Sequence, residues 1–174
     1  MSPSQVGCSR REHRIAAASL PAAFMREAIR LSLLHMREGR GGPFGAVVVR
    51  DGKIVGRGWN QVTSANDPTA HAEVVAIRQA CKRLRTFQLQ DCALYTSCEP
   101  CPMCLAAVYW AHIPMLYYGN TRRDASRIAF DDALIYRELG LPIQRRKLVM
   151  KSLLREEALE AFKEWERKTD KVRY

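Results

Sequence analysis

Apolar positions in this chain change period repeatedly, and each change marks an element. Over residues 20–38, in "LPAAFMREAIRLSLLHMRE", the spacing puts Phe24, Ala28, Leu31, Leu34 and His35 on one helical face, and Gly39 follows as a stop. "PFGAVVVRDGKIVGRGWN" reads instead as two β-rich runs joined at Asp51-Gly52, a hairpin turn signal. Asp67-Pro68-Thr69 then opens a second helix, "AHAEVVAIRQACKRL", with apolar residues at helical spacing. "CALYTS" is a short buried strand, the turn at Pro100 leads into the helix "CPMCLAAVYWAH", and "PMLYYG" is another strand. A helical stretch over residues 125–139, a short strand at 147–150 and a C-terminal helix over 155–168 complete the pattern. Strands alternating with helices predict an α/β fold.

At 174 residues and 47% hydrophobic composition, the chain can bury one good core and is short for two. The expected organisation is a disordered basic N-terminal tail over residues 1–20 and a single domain over 21–174. Charged residues, Pro or Gly interrupt every apolar run before membrane-spanning length, so no membrane partner is expected. Ser9-Arg10-Arg11 ahead of an Ala-rich stretch faintly resembles an export signal, but Pro21 breaks that stretch and the first helix uses it. The six cysteines are clustered in a chain that needs no disulfide framework, which fits reduced thiols and a cytoplasmic location. A formal charge of +10 favours an anionic partner and leaves RNA open, although the basic groups are scattered and no aromatic residues interleave with them.

Two segments carry the chemistry. "DPTAHAEV" supplies His71-Ala72-Glu73, and Pro100-Cys101-Pro102-Met103-Cys104 follows about thirty residues later, each where the chain enters a helix. His71, Cys101 and Cys104 offer one imidazole and two thiolates to a Zn2+ ion, leaving the fourth tetrahedral position to water or hydroxide. Helix N-termini favour the thiolate form through their partial positive charge. Glu73, two residues after His71, is free to move protons between water and a leaving nitrogen. H-x-E joined to P-C-x-x-C is the signature of zinc base deaminases. Two other readings use fewer of these residues. A redox pair needs only Cys101 and Cys104, while a closed structural zinc site would recruit Cys98 and make the chain a non-catalytic interaction module. Neither gives Glu73 a role, and Cys98 reads better as a small buried residue at a strand end. Glu99, before the turn, reads as a helix N-terminal carboxylate or a hydrogen-bond anchor.

The stretches "GGPFGAVVVRDG", "WNQVTSANDPTAHAEVVAIRQAC", "LYTSCEPCPMCLAAVYWA" and "AFDDALIYRELGLP" resemble the cytidine deaminase-like superfamily, and within it the bacterial guanine deaminases. That resemblance runs from about Phe24 to the C-terminus. It implies a three-layer α/β/α fold with a central five-stranded mixed sheet and one zinc per subunit. It also implies a homodimer that exchanges C-terminal segments, and hydrolysis of guanine to xanthine and ammonia. Carried over by position, His71, Cys101 and Cys104 hold zinc and Glu73 shuttles protons. Asn60, Phe44, His71, Ala72 and Asp132 contact the base, Asp132 also assists catalysis, and Tyr174 closes the site. Ala129 stands where relatives usually have Gly. The related activity to separate from this one is adenosine deamination in transfer RNA, which the positive charge favours and a Tyr174 lid opposes.

Overall fold

The computed structural model describes the backbone of residues 6–173 and the side chains of residues 20–173; Tyr174 and the start of the expected tail lie outside them. Contacts divide the chain into two compact units, residues 1–132 and 133–174.

In the first unit, helix α1 (Val6–Arg37) precedes the hairpin of β1 (Gly45–Arg50) and β2 (Lys53–Trp59). Asp51 and Gly52 both have positive φ, as the tight turn foreseen at Asp-Gly requires. A short helix α2 (Val62–Ala65) leads to α3 (Ala72–Leu84), β3 (Cys92–Cys98), α4 (Pro102–Trp110), β4 (Met115–Asn120) and α5 (Arg122–Arg127). The sheet order is β2-β1-β3-β4: β1 pairs antiparallel with both β2 and β3, and β3 pairs parallel with β4 across the α4 crossover. The sheet is therefore mixed, as expected.

Alternation along the strands splits the core between the two faces. Ala46, Val48 and Leu94 point to the side covered by α3 and α4, where they meet Ala72, Ala76, Ile77, Ala80 and Val108. Val47, Val49 and Tyr95 point the other way, against Leu31, Phe24 and Met25 of α1. This is the expected three-layer arrangement. The α1 face departs from the sequence pattern at one position, since Leu34 is exposed while Leu31 and His35 are buried. Glu27 ties α1 to β2 by accepting from Arg57 at 3.1 Å, and it also accepts from Arg30 of its own helix at 2.7 Å.

Among the described residues the sheet has four strands, not five. Residues 147–150, expected to be the fifth, are not a strand: Leu148, Val149 and Met150 are 70%, 76% and 49% exposed. A strand exists only where a neighbour pairs its N–H and C=O groups, and these residues have no such partner within their own unit. The single helix expected over 125–139 is two, α5 and α6 (Ala133–Leu139). α5 ends where Phe130 N–H bonds to Ala125 O and Ala129 N–H to Ser126 O, with Ala129 left-handed at φ 68°. That is a conformation glycine adopts without strain and alanine only at some cost. The second helix also starts later than expected, because Asp67 accepts from both Thr69 N and Thr69 Oγ1 and holds residues 67–69 in a turn.

The second unit consists of α6, a 3-10 turn (Ile143–Arg145) and α7 (Arg155–Arg167). None of its described residues is buried, so it has no core of its own.

Glycine governs how closely α3 approaches the sheet. A Cβ at Gly58 would lie 2.0 Å from Ala72 O and 2.6 Å from Ala76 N, and one at Gly56 would lie 2.3 Å from Ala76 O. These are backbone atoms that cannot step aside singly. Gly58→Ala is expected to push α3 off β2 and cost about 1–3 kcal/mol, as overpacking does, read as a lower midpoint in urea unfolding.

Candidate metal centre and active site

α3 and α4 begin in the same way. His71 is the N-cap of α3 and Cys101 the N-cap of α4; both have extended backbones, and neither makes the usual side-chain capping bond. An N-cap side chain ordinarily satisfies a free backbone N–H of the first turn. Here both turn instead toward each other. Pro102 at the first position of α4 sacrifices no hydrogen bond, because that N–H has no partner within a helix.

His71 Nδ1 lies 3.5 Å from Cys101 Sγ and 3.4 Å from Cys104 Sγ. All three donor atoms lie within 4.8 Å of one another. Zinc bonds of about 2.3 Å to sulfur and about 2.0 Å to nitrogen, at tetrahedral angles, would place the two atoms about 3.5 Å apart. The donor set and its spacing therefore fit a tetrahedral zinc with one position open. Cys98 stands outside this group. It is buried at the end of β3 with its thiol directed at Thr121 O, and burial pushes that thiol up to about 11. The fourth ligand that a closed site would need is thus not supplied by Cys98.

The electrostatics mark the same cluster. The Cys101 thiol is held down to about 4, chiefly by a hydrogen bond from Cys104 with His71 adding to it. Cys104 is pushed far up by the same hydrogen bond and by burial. His71 is raised through its hydrogen bond to Cys101. Binding of a metal ion would release the protons these donors share, since it takes cysteine as thiolate and histidine as neutral imidazole.

Glu73, in the first turn of α3, is buried with its Oε1 accepting from Thr96 Oγ1 at 3.1 Å. Burial raises its carboxyl above the ordinary range, against hydrogen bonds from its own backbone, Cys104 and Thr96. Thr96 was not foreseen. It faces inward on β3, opposite Ala46 of β1, and neither a motif nor its spacing distinguishes it from an ordinary strand residue.

Asn60, directly after β2, is buried. Its Oδ1 accepts from Gly42 N at 3.4 Å and Val62 N at 3.3 Å, which leaves its amide NH2 to donate elsewhere. Phe44 sits edge-on to Phe130, ring centroids 4.9 Å apart, so "PFG" and "FDD" meet through their aromatic rings. Phe130 was likewise not foreseen as the link. Asp132 lies 3.6 Å from Arg122, and its carboxyl is raised first by burial, with the Cys101 charge contributing. Glu99 accepts from Arg122 N at 2.9 Å, the anchoring role expected of it. The Ala72 methyl is wholly buried against the sheet. Tyr174 lies outside the described residues.

Residues 19–120 match the cytidine and deoxycytidylate deaminase zinc-binding region, and the chain belongs to that family of zinc-dependent hydrolases. Within it, the chain is 48% identical to guanine deaminase of Bacillus subtilis over 151 residues, covering 87% of this chain and 97% of that one. The crystal structure of the Bacillus subtilis enzyme superimposes with a TM-score of 0.85 over 88% of this chain and 98% of the other, at 47% identity. A guanine deaminase from Nitrosomonas europaea gives a TM-score of 0.62 at 32% identity, covering 65% of each chain. The tRNA-specific adenosine deaminase of Buchnera aphidicola is 34% identical over 116 residues, 66% of this chain and 74% of its own. The Bacillus match is longer than the 132 residues of the first unit and so extends into the second, whereas the Buchnera match is shorter than the first unit alone.

Two substitutions separate an open centre from a closed one. Cys104→Ala is expected to lower bound zinc well below one per chain, and Cys98→Ala to retain one. Metal analysis after dialysis against a weak chelator reads both.

Proposed function

We propose that the protein hydrolyses guanine to xanthine and ammonia, as a step in purine breakdown or salvage. The observation that carries the reading is Glu73: a buried carboxyl beside a three-donor metal cluster, not itself a ligand, which a structural zinc site has no use for. Similarity to a guanine deaminase over nearly the full chain supports guanine as the base.

His71, Cys101 and Cys104 would hold zinc, which when bound would make water nucleophilic near neutral pH. Water adds its oxygen to C2 of the purine, and Glu73 takes a proton from it and passes that proton to the adjacent ring nitrogen. The C2–amino bond then breaks. Glu73 carries the remaining hydroxyl proton to the amino nitrogen, which leaves as ammonia while C2 keeps the oxygen as a carbonyl, and Asp132 assists by holding the ring through N1–H. Thr96 fixes one oxygen of the Glu73 carboxyl by donating to Oε1. Asn60 presents its amide NH2 to an acceptor on the ring, since its oxygen is already engaged by two backbone donors. An ionised Asp132 accepts from N1–H, a donor that adenine lacks. Phe44 and His71 flank the ring, and Ala72, whose side chain is buried, contributes only backbone.

The second unit, without a core of its own, is read as a segment exchanged between two copies of the chain, with Tyr174 closing the partner's site. Exposed Leu148, Val149, Leu153 and Phe162 are the apolar surface such an exchange would cover. No helix among the described residues is long and apolar enough to cross a membrane. The described cysteines are free thiols, which supports the reading of a cytoplasmic setting.

Zinc-loaded protein should release ammonia from guanine and form xanthine, with little or no reaction on guanosine, adenine, cytosine or transfer RNA. Reaction with transfer RNA alone would favour the adenosine reading, for which the net charge of +10 speaks. Glu73→Gln is expected to keep one zinc per chain and lose about 10²–10⁴ in kcat, the usual worth of a positioned proton carrier. Near-normal turnover in that variant would sink the mechanism. Deleting the last residues through Tyr174 should impair guanine turnover far more than it lowers the melting temperature.

A further inference from the structure

The last turn of α1 carries a side chain for which the deamination chemistry has no use. His35 is 8% exposed, and its imidazole lies flat on the Trp59 indole, with ring centroids 3.8 Å apart and planes 18° from parallel. His35 Nδ1 and Trp59 Nε1 are buried without a hydrogen-bond partner. Glu38 Oε2 comes within 3.2 Å of Nδ1, close enough for an ion pair but not aligned as a hydrogen bond. The two rings are thus joined by their faces rather than by polar contacts.

Both ends of this stack lead to Asn60. On one side, Trp59 is the last residue of β2 and Asn60 follows it directly. On the other, Arg40 N–H bonds to His35 O at 2.9 Å and Gly39 N–H to Met36 O at 3.0 Å, turning the chain from α1 into the loop before β1. That loop grips Asn60. A Cβ at Gly41 would lie 1.8 Å from Asn60 O, Gly42 N donates to Asn60 Oδ1, and Asn60 N donates to Phe44 O at 3.1 Å. The loop and the end of β2 are separate pieces of chain, and the ring stack joins their roots.

We propose that His35 is a positioning residue for Asn60. Its stack on Trp59 fixes the end of α1 to the end of β2, and so sets where the Asn60 amide meets the purine. The inference rests on reading Asn60 as a base-binding residue. Without a flat ring at position 35, Trp59 is free to rotate and the loop loosens from Asn60. A contact made equally to substrate and transition state is then weakened, which raises KM and leaves kcat in place.

The test uses the full zinc-loaded chain and two readouts. In guanine kinetics, His35→Ala is expected to raise KM roughly fivefold to tenfold with kcat within about a factor of two. His35→Phe, which restores a flat ring, should return KM toward wild type. In amide hydrogen exchange, His35→Ala should speed exchange at Gly42 and Asn60 while leaving Val47 and Val48 in β1 unchanged. Three results would overturn the proposal: an unchanged KM in His35→Ala, a His35→Phe variant as defective as His35→Ala, or exchange accelerated equally through β1, which marks a general loss of stability. Should the unmodified protein not turn over guanine, the substrate reading fails separately. Exchange then decides: selective acceleration at Gly42 and Asn60 supports the brace, and uniform acceleration overturns it.

Discussion

Two helices that begin 3.4–3.5 Å apart, measured between their ligand atoms, impose the constraint on which the site depends. An N-cap side chain is normally used to close its own helix, but His71 and Cys101 are turned outward to meet each other. The cost falls on the sheet beneath. α3 reaches this position only because Gly56 and Gly58 let its backbone lie against β2 where no side chain would fit. α4 reaches it because the turn from β3 into α4 is short and prolines fix its entry. Residues far from the chemistry in sequence, and incapable of it themselves, thereby set the ligand geometry.

Around that centre the polar groups are used sparingly. Glu73 is buried and bonded by Thr96, Asn60 has its oxygen taken by two backbone donors, and Ser97 Oγ accepts from Gly45 N at 3.0 Å across the sheet. Each bond restricts a side chain to one orientation, and in a buried site that restriction is what turns a carboxyl or an amide into a directed group. The contrast with the second unit is sharp. Residues 133–173 include no buried position, and their large apolar side chains face outward. A segment of this kind gains its stability from something it covers, so its state is tied to partners in a way that the first unit's is not.

Much of this was legible from the order of residues. The hairpin at Asp51-Gly52, the helices carrying His71 and Cys104, and the buried strand before Pro100 all follow from local periodicity and turn chemistry, which act within a few residues and leave a local record. The His71, Cys101 and Cys104 cluster and Glu73 were legible for a related reason: each motif lies within one helical turn, so its spacing carries its geometry. Thr96, Phe130 and the His35–Trp59 pair were not. Their partners are 23, 86 and 24 residues away along the chain, and nothing in their neighbourhood announces them.

The fifth strand shows where local reading ends. Leu148, Val149 and Met150 have the composition of a strand, but a strand is completed by a neighbour's backbone, which composition cannot provide. In the same way, one helical period over residues 125–139 does not reveal that Ala129 must turn left-handed, since that break follows from where Phe130 has to reach Phe44. The sequence by itself determined the kinds of elements, and marked out the candidate metal-binding group and the carboxyl beside it, because those depend on contacts within a turn or two. Which elements meet, which polar atoms are already satisfied, and which apolar faces are left uncovered were decided by tertiary structure, because those depend on close approach between segments distant in the chain.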